Sequence, residues 1–121
     1  MSKEYFVARA DEITERVMVQ TDENIRIGVF KLDDQFVAYQ DRCAHSGGPV
    51  CEGVILGKYE QILADDKTVL EEKFSETEMH LVCPWHGWEF DLKTGACAVD
   101  PKFRLRPYKV EVRGGDVYVH A

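Results

Sequence analysis

Two short segments, Cys43-Ala44-His45 and Cys83-Pro84-Trp85-His86, each offer one thiol and one imidazole a few residues apart. Each segment sits beside glycine or proline, the residues of tight loops. Two sulfur and two nitrogen ligands can hold a tetrahedral zinc ion. They can also hold a [2Fe-2S] cluster in which two histidines replace two cysteines on one iron. In a zinc site all four ligands converge on one ion, whereas a cysteine and a histidine with one or two residues between them can reach the two irons of a small cluster. The chain must fold so that both loops meet at one centre.

The length of 121 residues suits one domain (residues 1–121) with a modest core and leaves no room for a second catalytic domain. Acidic side chains number 22 against 15 basic ones, a net charge of −7. That balance argues against nucleic acid as a partner, since phosphate binding needs a basic face. An acidic face can steer docking onto a basic partner, or serve solubility alone. Charges interrupt the first ten residues where an export signal needs an apolar run, and no apolar stretch approaches membrane-spanning length. We therefore expect a cytoplasmic protein, no membrane association, and four cysteines used as two ligands and two spare thiols, Cys51 and Cys97, rather than as disulfides.

Outside the loops the pattern is that of short strands. Tyr5 to Ala10 and Val17 to Thr21 flank a polar connection, Asp11 to Arg16, that can form a helical turn. Ile25, Ile27 and Val29 alternate with Arg26, Gly28 and Phe30, the period-two signature of a half-buried strand. Asp33-Asp34-Gln35 reads as a hairpin turn into Phe36 to Gln40. Near the C-terminus Tyr108, Val110 and Val112 face one side, Gly114-Gly115-Asp116 turns the chain, and Val117 and Val119 repeat the alternation. These features predict an all-β antiparallel sandwich or barrel, with the ligand loops on a subdomain of about residues 41–101 inserted between outer strands. Between His45 and Cys83 lie 37 residues. Val54 to Ala64 and Thr68 to Phe74 flank Asp65-Asp66-Lys67, which reads as an extended hairpin over about residues 57–78. Tyr59 to Phe74 can also be drawn as a helix. Residues 58–78 carry seven acidic and three basic side chains, net −4; the segment is a solvated protrusion or a docking element.

Read whole, Cys43-Ala44-His45-Ser46-Gly47-Gly48 and Cys83-Pro84-Trp85-His86-Gly87-Trp88-Glu89-Phe90-Asp91-Leu92-Lys93-Thr94-Gly95 resemble the two cluster loops of the Rieske family. The second is closest to the form in aromatic-ring oxygenases and their small ferredoxins. The separation of the loops, longer than in most Rieske ferredoxins, is the main departure. The resemblance implies one [2Fe-2S] cluster per chain, with Cys43 and Cys83 on one iron and the Nδ1 atoms of His45 and His86 on the other. It also implies a potential within roughly −150 to +300 mV, well above plant-type ferredoxins. High-potential members bridge their loops with two further cysteines, where this chain has Gly48 and Trp85. They also carry hydroxyl residues where it has Trp88 and Phe90, so the low-potential end is expected.

In the same frame, Gly47, Gly48 and Gly87 let backbone amides approach the sulfides or are plain turn residues. Trp85 and Trp88 cover the cluster or pack in the core. Pro101 is placed like a covering proline loop in relatives, or breaks a strand. His80 and His120 are expected to be surface or strand residues rather than ligands. The resemblance implies a soluble one-electron carrier without a catalytic centre, between a flavin-dependent reductase and a terminal oxygenase or other redox enzyme. The alternatives are a subunit of a larger redox enzyme, nitrite-reductase-like or an oxygenase component, and a structural zinc module. Against independent catalysis, only His80 and His120 remain for a mononuclear iron site, which needs two histidines and a carboxylate. No Gly-x-Gly-x-x-Gly nucleotide fingerprint is present.

Overall fold

The computed structural model describes residues 3–33, 35–44, 47–63, 69–85, 87–98 and 100–121, with the backbone alone over 58–63 and 69–78. The strands are β1 (Glu4–Arg9), β2 (Arg16–Gln20), β3 (Arg26–Leu32), β4 (Gln35–Gln40), β5 (Val54–Leu63), β6 (Val69–Val82), β7 (Glu89–Asp91), β8 (Pro107–Arg113) and β9 (Asp116–His120). Six form one sheet in the order β1-β9-β8-β4-β3-β2, and β5-β6-β7 form a second, with every pairing antiparallel. The edge strands β1 and β2 approach each other without a ladder between them, so the large sheet curls into an incompletely closed barrel. The all-β expectation holds.

Local chemistry explains the turns. In β2–β3 the Thr21 hydroxyl accepts the N–H groups of Glu23 (3.2 Å) and Ile25 (3.1 Å), and Asn24 takes the left-handed conformation (φ 63°) that its short amide side chain tolerates. Gly114 (φ 58°) and Gly115 (φ 83°) both have positive φ, the requirement of the two-residue hairpin turn that matches strand twist. The polar connection after β1 contains a 3₁₀ turn, Ala10–Glu12.

Two expectations change. Strand β3 is not half-buried: Ile27, Gly28, Val29 and Phe30 are all buried. Ile27 and Val29 join Ile13, Ala38, Val117 and Val119 in the barrel core. Phe30, on the opposite face, joins a second core with Tyr39, Val50, Leu81, Phe90, Leu92 and Leu105, formed where the segment between β4 and β8 folds over the barrel wall. Val112, which shares one side of β8 with Tyr108 and Val110, is 48% exposed. Finally, the helical drawing of Tyr59 to Phe74 gives way to strands, and β6 continues beyond Phe74 to Val82. The turn residues Asp65, Asp66 and Lys67 lie outside the described residues.

The segment between β4 and β8 is tied to the barrel by polar contacts. Tyr39 donates its hydroxyl hydrogen to the Leu92 carbonyl at 2.9 Å. Arg16 of β2 donates to the carbonyls of Cys51 (2.7 Å) and Gly53 (2.6 Å), which anchors the turn Val50–Glu52.

Candidate metal centre

Cys43 follows β4 and Cys83 follows β6, so two strands from different sheets deliver the two sulfurs. Both are nearly inaccessible, at 2% and 1% exposure, and both belong to the second core. Their loops share one hydrogen-bond frame. Cys43 N–H donates to the Gly48 carbonyl (2.8 Å) and Cys83 N–H to that of Trp88 (2.8 Å), five residues on in each case. The Cys43 carbonyl accepts from Gly47 N–H (2.9 Å) and the Cys83 carbonyl from Gly87 N–H (3.0 Å), four residues on. Gly47 (φ 76°) and Gly87 (φ 70°) hold the left-handed conformation at matching places, which explains why glycine stands there. Gly48 has a different reason. A Cβ built on it would come within 2.6 Å of Trp85 Cδ2, so the indole lies directly on the glycine backbone. The two loops therefore touch at Gly48 and Trp85.

The first loop is braced from behind. Cys51 N–H donates to Asp41 Oδ1 at 2.8 Å, and Arg26 approaches Asp41 Oδ2 at 3.5 Å and Glu52 Oε1 at 2.5 Å. Burial pushes the Asp41 carboxyl above the usual carboxylate range, against the opposing pull of the Cys51 N–H and Arg26. Sequence reading did not single out Arg16, Arg26 or Asp41. Their only signal is charge on otherwise apolar strands or beside a ligand, which is meaningful once the loop they hold is known.

The other candidates fall as follows. His45 and His86 lie outside the described residues. Trp88 packs in the core, edge-on to Phe103 at 5.3 Å, whereas Trp85 is 58% exposed. Pro101 is exposed in a turn closed by Phe103 N–H on the Asp100 carbonyl (3.0 Å). His80 is a strand residue, buried rather than superficial, with Nδ1 3.2 Å from Glu89 Oε1, and His120 of β9 meets Glu111 Oε2 at 3.1 Å. Cys51 and Cys97 are buried and form no disulfide. The Cys51 thiol, directed at the Tyr39 carbonyl at 3.5 Å, is pushed up to about 12 by burial first and by Asp41 second.

The donor set fits an iron–sulfur group. Two thiols from separate loops belong to one apolar core, a setting that would suit a cluster left neutral by two thiolates. The model of the Rieske [2Fe-2S] domain family matches residues 3–109. Over 123 aligned residues, 98% of this chain and 93% of the relative, the sequence is 32% identical to the 3-phenylpropionate/cinnamic acid dioxygenase ferredoxin subunit of Escherichia coli K12. Among solved structures, a complex of reduced oxygenase and oxidised ferredoxin in carbazole 1,9a-dioxygenase contains a chain that superposes with TM-score 0.69. It is 25% identical, over 96% of this chain and 91% of that one. A putative nitrite reductase small subunit from Mycobacterium tuberculosis shares the fold, with TM-score 0.72 at 18% identity over 100% and 96% of the two chains. With two buried thiols on matched loops and a family model spanning nearly all the sequence, the chain belongs to the Rieske [2Fe-2S] domain family, and its cofactor is a Rieske-type [2Fe-2S] cluster.

Proposed function

We propose that this protein is a Rieske ferredoxin, a one-electron carrier between a flavin-dependent reductase and a terminal oxygenase, with no catalytic centre of its own. The observation that carries this reading is the burial of Cys43 and Cys83 in one core, on loops with matching hydrogen bonds. The ferredoxin subunits among its relatives support it. When bound, the cluster accepts and releases a single electron. Cys43 and Cys83 would hold one iron as thiolates, and His45 and His86 would hold the other through imidazole nitrogen. Burial of the two sulfurs excludes water from the thiolate side. The backbone hydrogen bonds within each loop fix the positions from which Cys43 and Cys83 would bind. No helix among the described residues is long and apolar enough to cross a membrane. Thiols kept at Cys51 and Cys97 suit the reducing cytoplasm, where we place the protein.

The test is direct. His45→Ala and His86→Ala should each abolish the Rieske electron paramagnetic resonance spectrum, while Cys51→Ser and Cys97→Ser should retain it. A parental spectrum in either histidine variant overturns the ligand set. Reconstitution with a reductase and an oxygenase should restore substrate turnover, and the reduced protein alone should oxidise no aromatic substrate. With His45 and His86 as ligands, oxidation at alkaline pH would release a proton from the second ring nitrogen, so the midpoint potential should fall as pH rises. With neither bridging cysteines nor hydroxyl donors, the neutral-pH value should lie near or below about −100 mV. A profile flat to strongly alkaline pH removes the histidine ligands from the account.

A further inference from the structure

The chain contains seven arginines. Four are neutralised: Arg9 by Asp11 and Asp116, Arg16 by Glu15, Arg26 by Asp41 and Glu52, and Arg113 by Glu4 and Glu111. The other three, Arg42, Arg104 and Arg106, have no carboxylate partner among the described residues, although acidic groups outnumber basic ones in the chain. These three line one open cleft of about 290 Å³, together with Gln40, Ala44 and Gly47. The wall of that cleft includes Cys43 itself. All three arginines are exposed. Two are oriented by contacts that leave their charge intact: Arg104 donates to the Thr94 carbonyl at 3.3 Å, and the Arg106 guanidinium lies 5.5 Å from the Tyr108 ring centroid.

Three guanidinium groups that line one cleft, with no carboxylate partner among the described residues, repel one another, a cost that an incoming anion removes. Guanidinium forks match carboxylates in a two-point geometry. The cleft is open, and its cationic groups are exposed. A free small anion held there competes with water and salt at every contact, whereas an acidic protein surface presents several carboxylates at once. We propose that this cleft is a docking site for acidic side chains of the redox partner, seating them against the loop that carries Cys43. The identity of the partner as a redox protein rests on the function proposed above, but the site itself does not. The cleft thus makes the neighbourhood of the cluster locally positive on a molecule whose net charge is −7. Local charge beside the loop that carries Cys43 controls docking there more than net charge does, because ionic screening limits distant groups.

The sign of a salt effect tests this without any physiological partner. Chemically reduced holoprotein is mixed in a stopped-flow instrument with ferricyanide, which takes one electron from the cluster and becomes ferrocyanide. The cleft predicts that the rate falls, by roughly threefold or more, as ionic strength rises from about 10 mM to about 300 mM. A net-charge effect predicts the opposite slope, and a rate that rises with salt overturns the proposal. The double variant Arg104→Gln/Arg106→Gln should reverse the slope while keeping the Rieske spectrum, with Arg42 left in place beside its ligand neighbour. An unreversed slope in that spectrally intact variant removes the cleft from the account. Arg104→Lys/Arg106→Lys keeps the charge and should keep the slope, which covers the case of a poorly folding glutamine variant. Poly-L-glutamate, titrated by calorimetry into the holoprotein, should bind at least roughly tenfold more tightly than to the glutamine variant. Arg9→Gln should bind it like the parent. Equal affinity in the parent and the glutamine variant overturns the proposal. Inorganic phosphate at matched ionic strength should not displace the polymer. If it does, the cleft is a small-anion site and the assignment to an acidic partner fails. Loss of transfer to an oxygenase with these results intact would instead refute the carrier function.

Discussion

Gly28 and Gly48 look alike in sequence but constrain the molecule differently. A Cβ on Gly28 would lie 2.6 Å from Cys51 Cβ and 2.8 Å from its Sγ, and Cys51 is fully buried with no direction in which to move. A Cβ on Gly48 would meet Trp85, whose indole is exposed enough to swing outward. Gly28→Ala should therefore cost roughly 1–3 kcal/mol in urea unfolding, the usual cost of overpacking a close-packed core. Gly48→Ala should cost less, and should instead shift Trp85 fluorescence and hasten loss of the cluster as the contact between the loops opens. A larger stability loss for Gly48→Ala would refute this ordering. Two buried acids set the alkaline limit. Burial raises the Cys51 thiol from 9.0 to about 12, and burial first with Asp91 second raises the Tyr39 hydroxyl from 10.0 to about 12. In each case the folded state retains a proton that the unfolded chain has lost. Stability from these groups is therefore complete below the unfolded value and is lost as pH rises through the window between the two. Denaturant midpoints should decline from about pH 9 to about pH 12, less steeply in Cys51→Ser and Tyr39→Phe, and an unaltered slope in both variants would count against the assignment.

At the scale of elements, the long hairpin divides into two parts. β7 pairs with β6 only at His80–Val82, so from Gly57 and Met79 outward β5 and β6 form a two-stranded ribbon. The ladder is interrupted there, since Gly57 faces Met79 but Tyr59 faces Phe74. Two strands without a third are marginally stable in water, so the outer ribbon contributes little to the rest of the fold. Deleting residues 59–74 leaves residue 58 and residues 75–78 to close a hairpin between Gly57 and Met79, five residues in all and an ordinary hairpin loop length. The shortened protein should keep its Rieske spectrum, with stability changed by less than about 1 kcal/mol. Failure to incorporate the cluster would show that the ribbon supports the loops. If transfer to the physiological partner is also unchanged, the acidic segment 58–78 is a solvated protrusion.

The whole molecule is two cores sharing one wall. β3 and β4 supply Ile27, Val29 and Ala38 to the barrel core and Phe30 and Tyr39 to the core that contains Cys43 and Cys83. A loss of packing on either side of that wall is felt on the other. Ile27→Ala should destabilise by roughly 2–5 kcal/mol, the range for truncating a buried aliphatic side chain. It should lower the temperature at which the visible cluster absorbance bleaches by the same amount as the far-ultraviolet circular dichroism midpoint. Bleaching unmoved while the dichroism transition drops would mean that the two cores unfold independently.

How much of this was legible beforehand depends on the range of the interaction. The two ligand loops, the glycines that let them turn and the Gly114-Gly115 hairpin were readable because they depend on a few consecutive residues whose backbone preferences and donor atoms are local. Strand β3 was readable as a strand but not as one buried on both faces. Its apparently outward side, Gly28 and Phe30, is covered by Cys51 and its neighbours, which lie more than twenty residues further along. The bracing of the first loop by Arg16, Arg26 and Asp41, and the contact of Trp85 with Gly48, likewise join residues whose separation carries no pattern. The cleft of Arg42, Arg104 and Arg106, which lack carboxylate partners among the described residues, is the extreme case. Composition reports an acidic protein, and only the packing of the Arg104–Arg106 segment against the Cys43 loop decides which charges are cancelled and which converge. The β architecture was legible in the chain alone, and so were the candidate donors Cys43, His45, Cys83 and His86, since both readings rest on side-chain type and short-range periodicity. Tertiary structure decided what surrounds that chemistry, because burial and charge pairing belong to surfaces brought together only by folding.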